Sequence, residues 1–369
     1  MIPINKPFCG DDELAEVEKV LRSGYLTQGP KVVEFEEAVK AFTGAKHAFA
    51  MTSATTALHL SLVALGIKDG DEVLCSDLTF PATGNVVIEE RGVPIFVDVL
   101  RDTYAMDPAD LEKKLTKRTK AILVVNPFGL SADLDPILAL GERAGIPVIE
   151  DAACSLGAEY KGRTSGTLGR LGCYSFHPRK SVTTGEGGMI VTDDDALAKT
   201  IAVLRTHGGT RERFYLTFHE AGFNYRMSDI NAAVGVAQMK KLPWLVSRKR
   251  ELAQELLGML RGVSGVTLPV EPEGLKHTYQ SFVVVLDPRF PRDEVIARLR
   301  DKGIETTLGT YAMHREPAYE KRFPDQKNSC PVSASLYRHT LTLPLWPQME
   351  RTHLEQVTAG LDEVLKSFG

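Results

Sequence analysis

Seven short apolar runs punctuate the first half of the chain: "HAFAMT", "EVLCS", "PIFVDV", "KAILVVN", "IPVIED", "GCYSFH" and "GMIVTD". Several are apolar at consecutive positions, not alternate ones. That suits strands buried on both faces, since an exposed face would demand a polar residue at every second place. Helical patterns alternate with them. The expected class is therefore α/β, with a mainly parallel sheet covered by helices. In such sheets ligands bind beyond the carboxyl ends of the strands. The residues just past the end of each run are therefore the first place to look for chemistry.

The flanking helices are legible from their periodicity. "DDELAEVEKVLRSG" has an acidic start, one apolar face of Leu14, Val17, Val20 and Leu21, and Gly24 as its stop. "KVVEFEEAVKAFTG" is a second helix, with Pro30 before it and Gly44 after it. Past about residue 245 the rhythm changes. "QSFVVVL" reads as a strand, and "RDEVIARLRDKG" and "RTHLEQVTAGLDEVLKSF" read as amphipathic helices. A chain of 369 residues exceeds the usual reach of one hydrophobic core. The expected division is a large α/β domain over 1–245 and a smaller α+β domain over 246–369, with "SRKRELAQELLGML" in a helix near the boundary.

Composition excludes several classes of partner. The chain is 43% hydrophobic and 25% charged, with a net charge of -4 spread over interleaved signs. It has no electrostatic reason to wrap nucleic acid or to sit on an anionic membrane. The start, "MIPINKPFCGDDELAEV", lacks a basic segment followed by an apolar run, so no signal peptide is expected. No apolar run is long enough to span a bilayer. The cysteines (Cys9, Cys75, Cys154, Cys173 and Cys330) are odd in number and scattered. Neither a disulfide framework nor a metal site is expected, and reduced thiols in the cytoplasm are.

Four features sit at the ends of the strand runs. "MTSATTALHLSL" places Ser53, Ala54, Thr55 and Thr56 between a strand and a helix. Free backbone N–H groups and the helix dipole favour an anion there, although an ordinary N-cap has the same look. "CSDLTFPATGN" offers Phe80, which could stack on a flat ring or simply join the core. "IPVIEDAACSLGA" runs a buried strand into Glu150 and Asp151. A carboxylate there is costly unless it meets a cation, hydrogen-bond donors or a helix N-terminus. "SFHPRKSVTTGEGG" supplies Lys180. Most lysines are solvated, but a buried one becomes nucleophilic towards carbonyls. An anion site, a flat-ring stacker, a carboxylate and a lysine, in that order, match the phosphate, ring, pyridine nitrogen and aldehyde of pyridoxal 5'-phosphate (PLP).

Beyond these features the chain resembles the DegT/DnrJ/EryC1/StrS sugar aminotransferases, which are fold type I PLP-dependent transferases. "SGYLTQGPKVVEFEEAV" and "VDVLRDTYAMDPADLE" resemble two family segments. "EDAACSLGA", "SFHPRKSVTTGEGG" and "FNYRMSDINAAVG" resemble its three most specific blocks, and "LPLWP" another. The resemblance implies that Lys180 forms the internal aldimine and that Asp151 keeps the pyridine nitrogen protonated. Phe80 matches the ring-stacking position. Ser53, Ala54, Thr55 and Ser175 fall at phosphate-binding positions, with Ala54 where glycine is common. Asn224 matches a residue that reaches the phosphate from the other subunit of a homodimer. Cys154 stands where Gln or His often contacts the cofactor, and simple packing behind the ring is the expectation for it. Arg226, Tyr311 and His314 are candidate substrate contacts, each equally explicable as structural. His177 reads as a residue behind the lysine.

The implied reaction is a two-half transamination. An amino donor, glutamate in most of the family, converts PLP to pyridoxamine 5'-phosphate (PMP). A keto sugar, nucleotide-linked in the usual case, then takes the amino group. Two alternatives stand beside it. One is a PMP-dependent sugar dehydratase, whose histidine in place of the lysine is not found here. The other is a non-catalytic cofactor-binding or regulatory protein.

Overall fold

The computed structural model describes residues 1–368. All seven apolar runs join one sheet: β1 (His47–Met51), β2 (Glu72–Ser76), β3 (Val93–Val97), β4 (Thr119–Val125), β5 (Val148–Asp151), β6 (Leu171–Ser175) and β7 (Gly188–Thr192). The spatial order is β1-β7-β6-β5-β4-β2-β3. The β2/β3, β2/β4, β4/β5 and β5/β6 pairs are parallel. Only β7 runs against its neighbours, β1 and β6. Every residue of β2, β6 and β7 is buried, which is why those runs show no alternation.

Helices cover both faces. The helices of this region are α1 (Asp11–Ser23), α2 (Pro30–Thr43), α3 (Ala54–Ala64), α4 (Ala82–Glu89), α5 (Pro108–Lys114), α6 (Leu134–Ala144), α7 (Asp195–Leu204) and α8 (Asp229–Leu260). On one face Leu58, Val86 and Ile201, from α3, α4 and α7, pack with Val73, Cys75 and Ile149 of the strands. On the other, Leu111 and Ile137 of α5 and α6 pack with Leu74, Ile122 and Val148. Beside them Phe35 of α2 and Val236 of α8 pack with Ala50 and Met189.

The second unit is an antiparallel sheet in the order β8-β9-β11-β10. Its strands are β8 (Val266–Thr267), β9 (Phe282–Leu286), β10 (Thr307–Leu308) and β11 (Thr340–Leu343). The remaining helices are α9 (Arg292–Asp301), α10 (Pro317–Arg322), α11 (Pro331–His339) and α12 (Arg351–Lys366). Val284, Leu299, Leu341 and Leu361 belong to its core. The expected boundary between residues 245 and 246 falls inside α8, which is 32 residues long, about 48 Å at 1.5 Å per residue. Its first half (Ala232, Val236, Leu242) packs into the large unit and its second half (Leu252, Leu256, Leu260) into the small one. Ile2 also lies in the small unit's core and pairs its backbone with Gly303 and Glu305.

One helix face differs from the sequence expectation. On α1, Leu14 is 67% exposed and Leu21 58%, while Glu13, Glu16 and Val20 are buried. The helix turns its acidic side to the protein because cations await it there. Glu13 accepts from Lys241 at 2.8 Å and from Gln238 at 2.8 Å. Glu16 pairs with Lys31 at 2.6 Å and Lys19 at 2.9 Å. Those partners hold Glu16 down to about pKa 2. Periodicity identified the helix but not which stripe faces inward.

Candidate active site

The carboxyl ends of β1, β2, β5 and β6 converge, and each carries one of the expected groups. After β1 the chain enters α3. Ser53 is its N-cap, with Oγ accepting from Thr56 N at 3.1 Å. That leaves the first-turn N–H groups of Ala54 and Thr55 without partners inside the helix, as at any helix start. Gly188, which opens β7, makes this geometry possible. A Cβ on Gly188 would lie 2.3 Å from Ser53 C and O and 2.6 Å from Ala54 N. Only glycine lets the strand run this close beneath the helix start. Ser175, paired with Gly188 across β6/β7, is buried next to it.

Adjacent carboxylates at the end of β5 take opposite roles because successive strand residues face opposite sides of a sheet. Glu150 is fully buried. It accepts from Asn126 Nδ2 (2.9 Å) and from the N–H groups of Gly166 (2.8 Å), Leu168 (2.7 Å) and Gly169 (2.8 Å). Its donors are supplied, so it is an anchor for the 166–169 turn. Asp151, also buried, has among the described residues only Thr83 Oγ1 at 3.1 Å and Ala153 N at 3.2 Å as hydrogen-bond donors. Burial raises its pKa despite the Ala153 N–H, the charge of Lys180 and the Thr83 hydroxyl. A buried carboxylate so thinly supplied suits a site that receives a cation or a protonated ring nitrogen.

Lys180 lies on the turn after β6, with its amide donating to His177 O at 2.8 Å. Its Nζ donates to Cys154 Sγ at 3.1 Å. Cys154 thus meets the lysine amine itself, beyond the packing role expected of it. His177 accepts from Arg179 N through Nδ1 at 3.2 Å and so supports the turn, with burial lowering its pKa. The turn closes through Gly185 at φ +83°, a left-handed backbone that glycine adopts at no steric cost.

Phe80 follows β2 and is 64% exposed, an unusual state for a phenylalanine so near the sheet. Its ring stands 6.4 Å from that of Tyr311, edge to face. The 311–312 segment pairs with 78–79 and brings Tyr311 to the large unit. Phe80, Tyr311, Asn5, Arg179 and Gln280 line one cleft between the units. Arg226 is half-buried and its backbone bridges Met51, just ahead of the α3 cap. Asn224 is exposed and its backbone bridges Thr206. Its side chain makes no hydrogen bond among the described residues.

His314, which the sequence leaves open as a substrate contact or a structural residue, takes a structural place. It is 2% exposed, with Nδ1 2.7 Å from Asp77 Oδ2 and its backbone N–H donating to Asp77 Oδ1 at 2.8 Å. Asp77 also accepts from Ser333 Oγ and is itself fully buried. Asp77 thus pins the 313–315 turn and α11 to the end of β2, with His314 buried against it. Asp77, His314 and Cys330 place three possible metal-ligand atoms within 4.8 Å. Lys114 Nζ, however, lies 3.7 Å from Cys330 Sγ and supplies a cation already. Sequence reasoning missed Thr83, whose position in the first turn after "FPA" was its signal, and Asp77, which had none.

Set against known proteins, residues 7–362 match the model of the DegT/DnrJ/EryC1/StrS aminotransferase family. The chain is 36% identical to the spore coat polysaccharide biosynthesis protein SpsC of Bacillus subtilis, over 99% of this chain and 97% of that protein. Among solved structures, the aminotransferase TlmJ of Streptoalloteichus hindustanus is 31% identical with a TM-score of 0.94, covering 100% of this chain and 99% of that one. Spr1654 of Streptococcus pneumoniae has been solved in a PLP form, at 26% identity and a TM-score of 0.95, covering 100% and 99%. Its PMP form gives 25% identity and 0.95, covering 100% of both chains.

Proposed function

The chain belongs to the DegT/DnrJ/EryC1/StrS aminotransferase family, and on that premise we propose that it moves an amino group from glutamate to a keto sugar carried on a nucleotide. The residues at the strand ends fit PLP: a lysine amine, a thinly supplied buried carboxylate, an exposed aromatic ring and a helix start. Lys180 would hold the cofactor covalently, and Asp151 would face its ring nitrogen. Phe80 would cover the ring face. Ser53, Ala54, Thr55 and Ser175 would take the phosphate through hydroxyl and N–H groups. When bound, the cofactor supplies the electron sink that lets the substrate's α-carbon give up a proton.

The chain's own contribution is positioning and proton handling. The Lys180 amine removes the α-proton of the donor and returns a proton on the other side of the exchange. Asp151, kept in a dry site, holds a proton on the facing nitrogen by its charge. Cys154 steadies the lysine amine between those events. Tyr311, from the cleft, and Arg226, beside Met51, would meet the substrate.

A homodimer is part of the reading. Leu14, Leu21, Tyr25, Leu26 and Val33 are exposed near the N-terminal helices. Phe214, Tyr215 and Phe218 are exposed on the hairpin of Gly209–Arg211 and Leu216–Phe218. That much apolar surface on one chain supports burial against a second copy. Asn224, exposed in one protomer, would then reach the partner's phosphate. SpsC, by its name a protein of polysaccharide biosynthesis, supports a sugar acceptor.

The observation that carries the proposal is the convergence of Lys180 and Asp151 beside the start of α3. The test is spectroscopic. PLP-loaded protein should lose its lysine-bound absorbance band on addition of glutamate and regain it with a matching nucleotide-linked keto sugar. A spectrum unmoved by glutamate and by other amino donors would overturn the proposal.

A further inference from the structure

Lys249 of α8 is a buried lysine with no part in the scheme above. It is 3% exposed, and its Nζ donates to the carbonyl of Gln280 at 2.7 Å. Gln280 reaches onward, its Nε2 donating to the carbonyl of Arg179 at 2.5 Å. Arg179 is the residue before Lys180. Ser281 Oγ donates to Gln280 Oε1 at 3.2 Å, which fixes the way the amide faces. The strap that carries Gln280 is held to the turn after β4 by Thr278 N to Gly129 O (2.8 Å) and Ser281 N to Phe128 O (3.1 Å). Between those anchors the buried Tyr279 sits at φ +49°, a conformation that persists only where its surroundings enforce it. Lys180, Lys249, Thr183 and Gln238 line one small cavity.

A buried ammonium is a costly way to fill space that a methionine would fill well. A lysine in such a place points to a task that needs the charge. We propose that Lys249 is a positioning residue: through Gln280 it fixes the backbone at Arg179, and with it the place of the Lys180 amine. The strap belongs to the passage between the two units, so the same bonds tie the small unit's seating to the lysine turn. Burial lowers the Lys249 pKa to about 7, with Cys154 opposing that shift. The clamp is therefore strongest below neutrality and weakens as pH rises through that value.

Other ionisable groups face Lys249 or its cavity. Cys154 approaches from the loop after β5, and Lys180 and Lys6 line the cavity. His277 lies on the strap, with Arg250 donating to its carbonyl. Burial lowers His277 to about pKa 3, which keeps it neutral across the range at issue.

The inference rests on the proposed role of Lys180, but its test reads the order of the turn and not turnover. Hydrogen exchange of the Phe176–Thr184 amides is followed in full-length, cofactor-free protein. Lys249→Met should melt no lower than the parent, yet lose about 10-fold in protection of that segment, the effect of one hydrogen bond to a charged group. Lys249→Arg should restore protection. Gln280→Leu, which keeps the carbonyl but not the Nε2 bond, should reproduce the loss and serves if Lys249→Met fails to fold. Protection corrected for intrinsic exchange should fall as pH rises through 7 in the parent and stay level in Lys249→Arg. Unchanged protection in Lys249→Met or Gln280→Leu would overturn the inference. So would a pH response that survives in Lys249→Arg, since it would belong to Cys154 or Lys180.

Discussion

Gly188→Ala is a one-methyl change with a calculable consequence at the start of α3. The added carbon would stand 2.3 Å from Ser53 C and O and 2.6 Å from Ala54 N. All three are backbone atoms, so no side-chain rotation relieves the contact. Restoring ordinary packing distance, roughly 3.5–4.0 Å, requires the helix start to retreat by roughly 1.2–1.7 Å. Overpacking of this kind destabilises by about 1–3 kcal/mol. The effect on cofactor binding should be larger. A retreat of that size takes an N–H from normal range, about 2.9 Å, out of hydrogen-bond reach. Hydrogen bonds to a charged group contribute about 1.5–3 kcal/mol each. Loss of one or two weakens PLP binding by roughly 10- to 10,000-fold at about 1.4 kcal/mol per decade. Titration of cofactor-free Gly188→Ala with PLP, followed by absorbance, measures this directly. A melting curve on the same sample shows whether the fold survives. A folded variant that binds PLP with parental affinity would refute the placement of the phosphate at Ser53–Thr55.

The same geometry sets three further outcomes. Asp151→Asn should bind cofactor but lower kcat on the order of 10²–10³-fold, the usual cost of losing a preorganised electrostatic partner. Stopped-flow half-reactions with glutamate measure it. His314→Ala should destabilise by about 1–3 kcal/mol, because it strips the buried Asp77 of a hydrogen-bond partner, while leaving KM for both substrates unchanged in whatever protein folds. A selective rise in KM would restore His314 to the substrate site. The pH dependence of cofactor-free protein has a definite sign. Burial raises the Asp151 pKa, so the folded chain holds a proton that the unfolded chain has released. Stability must fall as pH climbs from the ordinary carboxylate range through the raised value. Melting temperatures against pH should show a shallower fall in Asp151→Asn, and identical slopes would contradict the assignment.

The sheet was legible because its strands are buried on both faces and carry an unbroken apolar signal. "EVLCS", "GCYSFH" and "GMIVTD" needed only their length and their flanking turns. The proposed site residues were singled out for a related reason: in a mainly parallel sheet ligands bind at the strand ends, which is where Asp151 and Lys180 lie. What stayed hidden depends on contacts between distant segments. His314 resembled a ligand-facing residue because the sequence does not reveal that Asp77, more than two hundred residues earlier, awaits it. The wrong stripe of α1 looked buried because Lys31, Gln238 and Lys241 come from other helices. The expected boundary fell inside α8 because the change of rhythm past about residue 245 marks a change of packing partner and not a break in the chain, and packing on both units holds the helix together. Lys249 carried no sign at all, since a lysine in a basic helical stretch reads as solvated until its burial is known.

The most direct test concerns where the cofactor is attached. Borohydride reduction of PLP-loaded protein, followed by peptide mass mapping, fixes the linkage on a single lysine. The label should fall on the peptide carrying Lys180, and Lys180→Ala should abolish it without unfolding the chain. A label on Lys249, the buried lysine of the same cavity, or on any other lysine would contradict the account.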